Sequence, residues 1–321
     1  MSAYPPDRQL HGDVRQSRAD MPAAQPGSWR RLTCLDLVRP HGPAGDLTVR
    51  GRALDVTTDS GGRPVSYDDA RLEATVDYHG GRVLLHLETS PELPELAALV
   101  GASVIAGFRG RADLDTVAGI SAPLAALLDD LPVGVLISGH AVSAARTSGN
   151  ESVTVSSGYI PVADQCAGYA AGGALMTAIA ERGRSPVADG PDAPALDAPE
   201  WMSEPLAEHG MRRIRRIDRH HMDGAIRVDA MFRDTYRRVD GVETVIHEYE
   251  LAVVADEATG VIEHAVATPR VLPWFDCPGA VASAGTLVGT TLERIDERVR
   301  RDFRGVGTCT HLNDLLRSIG R

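Results

Sequence analysis

The sequence has few cysteines, no excess of basic charge and no long apolar run, and each lack excludes a class of protein. Four cysteines in 321 residues are too few for a disulfide scaffold, and thiols in a reducing compartment are more often buried, catalytic or metal-bound. The net charge of −11 argues against a binder of nucleic acid or anionic membranes, which would need a basic surface. We therefore expect small molecules or proteins as partners.

Targeting segments are also lacking in this sequence. The first 29 residues, MSAYPPDRQLHGDVRQSRADMPAAQPGSW, contain no apolar core of signal-peptide length. No later stretch approaches the roughly 20 apolar residues of a membrane span. These patterns predict a cytoplasmic protein that does not bind membranes and has a disordered arm over residues 1–28.

Alternating apolar and polar residues are present in two blocks of the chain and predict strands. In the first block, residues 46–56 and 71–90 alternate, and Gly80-Gly81 predicts a tight hairpin turn. Ala-rich and Leu-rich stretches predict helices between and after these strands. The second block has strand patterns over 225–239, 242–256 and 260–272, and the helical patterns cover 91–104, 122–131, 164–183 and 278–303.

The two blocks resemble each other in sequence. Residues 287–318 can be laid on residues 99–130 without a gap, which pairs Gly289 with Gly101 and three leucines with three leucines. A chance likeness of two amphipathic pieces is the alternative. We predict an α+β fold of two similar halves, each a strand hairpin followed by helices, in one compact unit. The predicted parts are the arm, an N-terminal half (29–150), a helix with a Pro/Asp-rich linker (151–210) and a C-terminal half (211–321) that carries the site.

Three of the four cysteines stand where a helix is predicted to begin. Asp164 is a suitable N-cap before Cys166, Cys277 precedes a proline, and Thr310 is a suitable cap beside Cys309. Free amide groups and the helix dipole at such positions favour the thiolate, which is both the nucleophile and the metal ligand. Cys34 lacks this context, and we interpret it as a core residue.

The cysteines, with the histidine that follows Cys309 by two residues, predict a metal site. Cys166, Cys277, Cys309 and His311 would form a closed four-ligand zinc site, and three of them would leave an open position for catalysis. A metal-free catalytic thiol and small buried residues at crowded helix starts are the alternatives. In the gap-free pairing, Ser121 and Pro123 stand opposite Cys309 and His311, so only the C-terminal half carries this chemistry.

Other polar residues could assist such a site. His247 shares a strand face with Tyr249 and Leu251, and an inward His247 would be a ligand or a general base; a core histidine bonded to the backbone is the alternative. Asp164 and Asp276 could orient the cysteine ligands, although helix capping also explains them. Arg304 could hold an anionic substrate.

Two charged segments are given structural interpretations instead. RRIRRIDRHHMDG (212–224) contains five arginines and predicts a solvated strand at a sheet edge that pairs local carboxylates. LLDDLP (127–132) predicts an exposed turn at a helix C-terminus.

Four segments carry a resemblance to a known family. DQCAGYA, VIHEYEL, PRVLPWFDCP and above all CTHLNDLLRS resemble an uncharacterised bacterial family, a domain of unknown function whose members end in a Gly-Cys-Thr-His-Leu type motif. The resemblance spans most of residues 30–320 and implies no activity, and Thr308 stands where glycine is common in the family. The order of the cysteines also resembles that of iron-sulfur scaffold proteins, which implies a ligand type only.

These patterns together predict a function. We expect a metal-dependent enzyme, with zinc as its cofactor, that acts on a small organic substrate by a lyase or hydrolytic step. A non-catalytic zinc or iron-sulfur carrier and an interaction module with a structural zinc are the alternatives. The sequence is compatible with a homo-oligomer.

Overall fold

The computed structural model describes residues 8–105, 107–112, 117, 119–147, 162–183 and 185–320. Within these ranges the chain forms one antiparallel sheet of eight strands with seven α-helices, which confirms the α+β class. The strands are β1 (Trp29–Val38), β2 (Leu47–Thr58), β3 (Pro64–Asp77), β4 (Val83–Ser90), β5 (Met211–Met222), β6 (Ala225–Arg237), β7 (Glu243–Asp256) and β8 (Ile262–Val271).

The helices fill the segments between and after these strands. Five 3₁₀ segments accompany them within the described ranges: Pro94–Leu99, Ala167–Tyr169, Glu200–Met202, Cys277–Leu287 and Leu292–Arg294. The α-helices are α1 (Arg8–His11), α2 (Phe108–Ala112), α3 (Ala122–Ile137), α4 (Gly139–Thr147), α5 (Ala174–Arg182), α6 (Ile295–Asp302) and α7 (Thr310–Ser318).

The sheet consists of two four-stranded meanders side by side. Its order is β4-β3-β2-β1-β5-β6-β7-β8, and β1 pairs antiparallel with β5 where the meanders meet. The first strand of each meander therefore lies at the centre of the sheet. The predicted strand patterns and the turn at Gly80-Gly81 are confirmed, because alternation marks strands with one face against a core.

The main core lies between one face of the sheet and helices α3 and α7. Leu35, Val49 and Tyr249 enter it from the sheet, Leu127 from α3 and Leu315 from α7, and all five are 0% exposed. Burial of such a leucine side chain contributes about 1.5–3 kcal/mol. The helix layer is thus held by apolar packing contributed by both halves.

A smaller apolar cluster covers the centre of the opposite face. Cys34 of β1 lies in it with Leu32 and Ile214, and Met21 and Met202 cover them from the loops. Cys34 is 4% exposed, which confirms its interpretation as a core residue.

The described part of the N-terminal arm is ordered against β8. Gln16 N donates to Arg270 O (2.7 Å), and Leu272 N donates to Val14 O (2.9 Å). The expectation of disorder is therefore wrong for residues 8–28, because the arm satisfies the free edge of the last strand. Residues 1–7, and residues 148–161 at the predicted boundary between the first half and the linker, lie outside the described residues.

The two halves repeat the same hydrogen bonds after their last strands. Gly101 (φ +86°) donates to Leu84 O at 2.7 Å, and Gly289 (φ +84°) donates to Ile262 O at 2.8 Å. The return hydrogen bonds also match: Leu84 N donates to Ala102 O, and Ile262 N donates to Thr290 O, both at 2.9 Å. This matched geometry supports the pairing of the two segments, while a duplication of the sequence stays a prediction.

One helical stretch corrects the expectation about membrane spans. Residues Ala122–Thr147 are long and apolar enough to cross a membrane by length and composition alone, and 72% of the apolar window is buried inside the protein. Burial to this extent is typical of the core helix of a globular protein. The stretch also contains Pro132, inside α3, beyond the residues predicted to be helical.

Several predicted helices begin later or are 3₁₀ in the structure. The helix predicted over 164–183 has its α-helical part only in α5, which starts after Gly172 and Gly173 and ends at Gly183 (φ +67°), the predicted closing glycine. Segments 91–104 and 278–303 contain 3₁₀ turns, and only α6 in the second is α-helical. Glycines within these segments, such as Gly172, Gly173 and Gly285, disfavour a longer α-helix.

Candidate functional site

Strand β5 places buried arginines at the centre of the sheet. Arg212, Arg213, Arg215 and Arg216 are 0–5% exposed, because β1 and β6 flank this strand and both of its faces are covered. The prediction of a solvated edge strand over 212–224 is therefore wrong. The predicted carboxylate partners do exist, but most of them come from distant parts of the chain.

Arg213 forms a two-pronged ion pair with Asp234 on the neighbouring strand β6. Its Nε lies 2.7 Å from Oδ1 and its Nη2 lies 2.9 Å from Oδ2, and both side chains are 0% exposed. Burial raises the pKa of Asp234, but the Arg213 guanidinium and His247 together outweigh burial and lower this pKa below its usual range. Asp234 is therefore a buried, ionised carboxylate.

Two histidines lie against this carboxylate. Nδ1 of His247 on β7 is 3.1 Å from Asp234 Oδ2, and Nδ1 of His311 on α7 is 3.8 Å from the same oxygen. The two imidazole rings stack with centroids 3.9 Å apart. Their side chains are 13% and 20% exposed, so the cluster reaches solvent on the histidine side.

Arg213 also determines the protonation of His311. Its Nη2 lies 3.1 Å from His311 Nδ1, and because a guanidinium can only donate, this nitrogen is the acceptor of a neutral ring. Burial, and then the neighbouring His247, lower the pKa of His311 well below its usual range. The proton of His311 is therefore on Nε2.

The Asp234, His247 and His311 ligand atoms all lie within 4.8 Å of one another, close enough to surround a cation. However, the Arg213 guanidinium already contacts both Asp234 oxygens and His311 Nδ1. A metal ion bound through these atoms would have to displace a buried, permanently charged group. The arrangement is better suited to orienting the imidazoles than to binding a metal.

A second acidic group in the core is neutralised in the same way. Asp129 and Asp130 of α3 and Asp314 of α7 have ligand atoms within 4.8 Å of one another and are 0–2% exposed. The prediction of an exposed turn over 127–132 is therefore wrong, because this segment lies buried inside α3. Four arginines pair with these carboxylates at 2.6–3.5 Å: Arg109, Arg213, Arg215 and Arg317.

The three candidate ligand cysteines gather around Tyr249. The thiols of Cys309, Cys277 and Cys166 are its electrostatic neighbours, and together with burial they raise the pKa of this tyrosine far above its usual range. The Tyr249 hydroxyl is buried and makes no hydrogen bond of ordinary geometry among the described residues, although the Cys309 thiol interacts with it electrostatically.

Backbone contacts fix the segments that carry these thiols. Ala167 N, next to Cys166, donates to Thr308 O, next to Cys309, at 2.9 Å. A Cβ atom at Gly168 would lie 2.7 Å from Cys277 Sγ, so only glycine fits there. The three sulfurs do not all lie within 4.8 Å of one another.

The three cysteines lie near helix starts, but this position does not lower the pKa of their thiols. Burial raises the pKa of Cys309 to about 11, against the opposing amides of Leu312 and His311. Burial also raises the pKa of Cys277, and that of Cys166 despite three nearby backbone amides. The expected preference for the thiolate is therefore wrong, because burial outweighs the helix ends.

The predicted caps differ from those in the structure by one or more positions. Cys309 itself is the N-cap of α7, and Asp276 rather than Cys277 precedes its 3₁₀ segment. Asp276 Oδ2 instead accepts from Ala174 N at 2.7 Å, which caps α5 from a distant part of the chain. Asp164 has φ +63° and its Oδ1 accepts from Ala171 N at 2.8 Å. Both aspartates thus bind backbone amides.

Arg304 lies at the surface, apart from the buried clusters. It is exposed, and its Nη2 donates to Arg300 O at 3.1 Å. This contact extends the end of α6, so a role in holding substrate stays a prediction.

The sequence interpretation missed Arg213, Asp234 and Tyr249 as members of the site. A signal for two of them was present: Tyr249 shares the strand face of His247, and alternation places Arg213 and Arg215 on one face of their strand. Nothing local to Asp234 indicates its partner, because strand register brings it opposite Arg213.

The fold and site define an antiparallel α+β protein whose C-terminal half holds a buried Asp-His-His cluster beside three thiols. Residues 211–321 match the model of a family described as Protein of unknown function (DUF2889). This match confirms the resemblance to an uncharacterised family over the C-terminal half, which carries Cys277, Cys309 and both histidines, while the resemblance over residues 30–210 stays a prediction. No curated protein and no solved structure matches the chain. The terminal Gly-Cys-Thr-His-Leu type motif and the iron-sulfur likeness stay predictions.

Proposed function

We propose that the protein is a metal-dependent enzyme that acts on a small organic substrate by a hydrolytic or lyase step. The observation that carries the proposal is the convergence of three cysteine-bearing segments, since Ala167 N, next to Cys166, donates to Thr308 O, next to Cys309, and Gly168 packs against the Cys277 sulfur. Sulfur ligands from three separated segments favour a thiophilic metal ion. Zinc is the metal we propose first.

Three thiolates would leave one position of a tetrahedral zinc ion open to a substrate oxygen. His311, two residues after Cys309, is the candidate for the fourth position. Because its Nδ1 accepts from Arg213, His311 is better suited to donate from Nε2 than to coordinate a metal. Three sulfur ligands with an open position therefore agree better with the contacts than a closed four-ligand site, and an open position is what catalysis requires.

His247 is the proposed proton carrier of this site. Asp234 faces its Nδ1 at 3.1 Å and is itself held by Arg213, so a negative charge lies beside this nitrogen. This leaves Nε2 to take up or release a proton. An orienting carboxylate behind a histidine serves the same purpose in other acid-base sites. This pair would serve a hydrolytic and a lyase step equally well.

A carrier of an iron-sulfur cluster is the second candidate, and the spacing of the thiols favours it. Zinc-sulfur bonds of about 2.3 Å in a tetrahedron place two sulfurs roughly 3.8 Å apart. The three sulfurs here do not all lie within 4.8 Å of one another, so one zinc ion would require them to move closer. A cluster of several iron atoms would span a wider set of thiols.

Metal analysis of protein purified without a chelator tests both candidates. We expect about one zinc ion per chain and no metal in Cys309→Ser, while Cys34→Ser, which alters the thiol outside the site, keeps its metal. A visible chromophore with bound iron would favour the carrier instead. A wild-type protein without metal, which also takes up none on titration with zinc or iron, would contradict both.

A further inference from the structure

We infer that a cavity on the face of the sheet opposite the helices binds a small molecule that carries both a carboxylate and an ammonium group, such as an amino acid. The cavity has a volume of about 360 Å³, which lies in the range of small-molecule sites in proteins. Neither the thiols nor the histidines of the candidate site line it. The inference therefore goes beyond the proposed function and does not depend on it.

The cavity lies between strand β5 and the N-terminal arm. Arg216, Asp218 and His220 line it from β5. Alternation places them on the strand face of Ile214, which belongs to the smaller apolar cluster, whereas Arg213 contacts α7 from the other face. The other walls include Asp229 of β6, Glu250 of β7, and Arg18 and Gln25 of the arm.

The β5 wall contains more buried positive charge than its own carboxylate neutralises. Arg216 is 5% exposed, and its single ion pair among the described residues is to Asp218. The same carboxylate already accepts from Nε and Nη2 of Arg30, so two guanidinium groups share one negative charge. Arg216 Nε is buried and makes no hydrogen bond within the described part of the chain. A ligand carboxylate in the cavity would supply the missing counter-charge.

Asp229 has the opposite requirement. Its side chain is exposed and forms no ion pair with any residue that the structure describes. Glu250 differs, because Arg270 lies 2.5 Å and Arg18 lies 3.2 Å from its carboxylate. Asp229 is therefore the wall carboxylate that is available to a ligand ammonium group.

The strand register places these two charges at a suitable separation. Asp229 lies directly opposite Asp218, so it is a diagonal neighbour of both Arg216 and His220. Diagonal neighbours on one face of an antiparallel pair are roughly 7–8 Å apart. A short zwitterion with its carboxylate at Arg216 and its ammonium group at Asp229 spans this separation. His220 adds a buried Nδ1 that has no hydrogen-bond partner among the residues described.

Isothermal titration calorimetry of the full chain with each proteinogenic amino acid tests the inference. We expect at least one of them to bind. Its N-acetyl derivative lacks the ammonium charge and its carboxamide lacks the carboxylate. Each should bind at least about tenfold more weakly, because a charge-assisted hydrogen bond is lost. If no amino acid binds, or if either derivative binds as tightly as its parent, the inference is wrong.

Two variants test whether the ligand occupies this cavity. Asp229→Asn should weaken binding of the amino acid about tenfold and leave its N-acetyl derivative unaffected, with Asp240→Asn in the exposed turn after β6 as the control. Ala252→Leu should fill the cavity and abolish binding, whereas Ala258→Leu in the exposed turn after β7 should not. Because Asp229 and Ala252 are exposed, both variants should fold like the wild type, which circular dichroism checks. Unchanged affinity in either cavity variant would contradict the inference.

Discussion

The N-terminal and C-terminal halves share one frame but differ in what they bury. Each half is a four-stranded meander followed by a glycine turn and a capped helix, and Ser121 and Cys309 are the N-caps of α3 and α7. In the first half the cap oxygen accepts from Leu124 N, whereas the Cys309 side chain makes no capping hydrogen bond. The same position thus serves helix stability in one half and the thiol cluster in the other.

The charged residues show the same contrast. Strands β1 and β2 bury one ion pair, Arg31–Asp55 at 2.7 Å, beside their apolar side chains, while β5 and β6 bury Arg213, Arg215 and Asp234. The Arg317 guanidinium of α7 lies 2.8 Å from Asp129 of α3, its counterpart in the gap-free pairing. The two helices therefore share buried leucines, while the buried arginines of the C-terminal half are paired with carboxylates of the N-terminal half.

The largest effect is expected from removing the central counter-charge. Asp314 has no acidic counterpart in the first half, where Ala126 stands in the gap-free pairing. Asp314→Asn should lower the free energy of unfolding by about 3–5 kcal/mol, because it leaves buried guanidinium groups without their partner. Urea unfolding measures this loss, with Glu297→Gln at the exposed surface of α6 as the control. A loss as small as that of the control would show that the buried ions are not coupled.

Truncation of paired leucines tests whether the shared frame is equally packed. Leu127→Ala in α3 and Leu315→Ala in α7 each remove a fully buried side chain. Each should cost about 2–5 kcal/mol of unfolding free energy, measured by the same urea titration. Losses that differ by more than a factor of two would show that α3 and α7 are not equally well packed.

The paired glycines should show a smaller and equal effect. Gly101 and Gly289 both have positive φ, and a Cβ atom at either would meet nothing within 4 Å. Gly101→Ala and Gly289→Ala should therefore each lose roughly 1–2 kcal/mol through backbone strain alone. Thermal unfolding of both variants checks this. An unchanged melting temperature in one of them would show that its turn can relax.

The cap residues should give the smallest change in stability and the clearest difference between the halves. Ser121→Ala loses a cap and should cost about 1 kcal/mol. Cys309→Ser supplies a capping hydroxyl, so the metal-free protein should be as stable as the wild type or more so. Thermal unfolding without metal and metal analysis measure the two properties. A Cys309→Ser protein that keeps its full metal content would contradict the role of this thiol.

Much of the fold could be predicted because its signals are local. Alternation in 225–239, 242–256 and 260–272 indicated β6, β7 and β8 to within a few residues. The leucine spacing likewise indicated the helices α3 and α7, although Cys309 rather than the predicted Thr310 is the N-cap of α7. These features depend on spacings of two or of three to four residues, which neighbouring side chains reveal.

The candidate site was predictable only in part. Their positions in the sequence indicate Cys166, Cys277, Cys309 and His247, and the folded chain brings the linker segment of Cys166 against the C-terminal half that carries the other three. The arginine-rich strand was placed at an edge because its own residues are hydrophilic, although β1 and β6 cover both of its sides. When a charged residue is paired across the sheet, the residues next to it in the sequence do not indicate its partner.

Local sequence patterns are sufficient for the α+β class, for most strands and for the apolar stripes of the last helix in each half. The tertiary structure alone decided which polar residues are buried, because burial depends on which strands are neighbours in the sheet. It placed Arg213 opposite Asp234, and it brought His247 and His311 against the Asp234 carboxylate. It also placed the Tyr249 hydroxyl among three thiols, since contacts between distant segments require the folded chain and cannot be inferred from spacing along it.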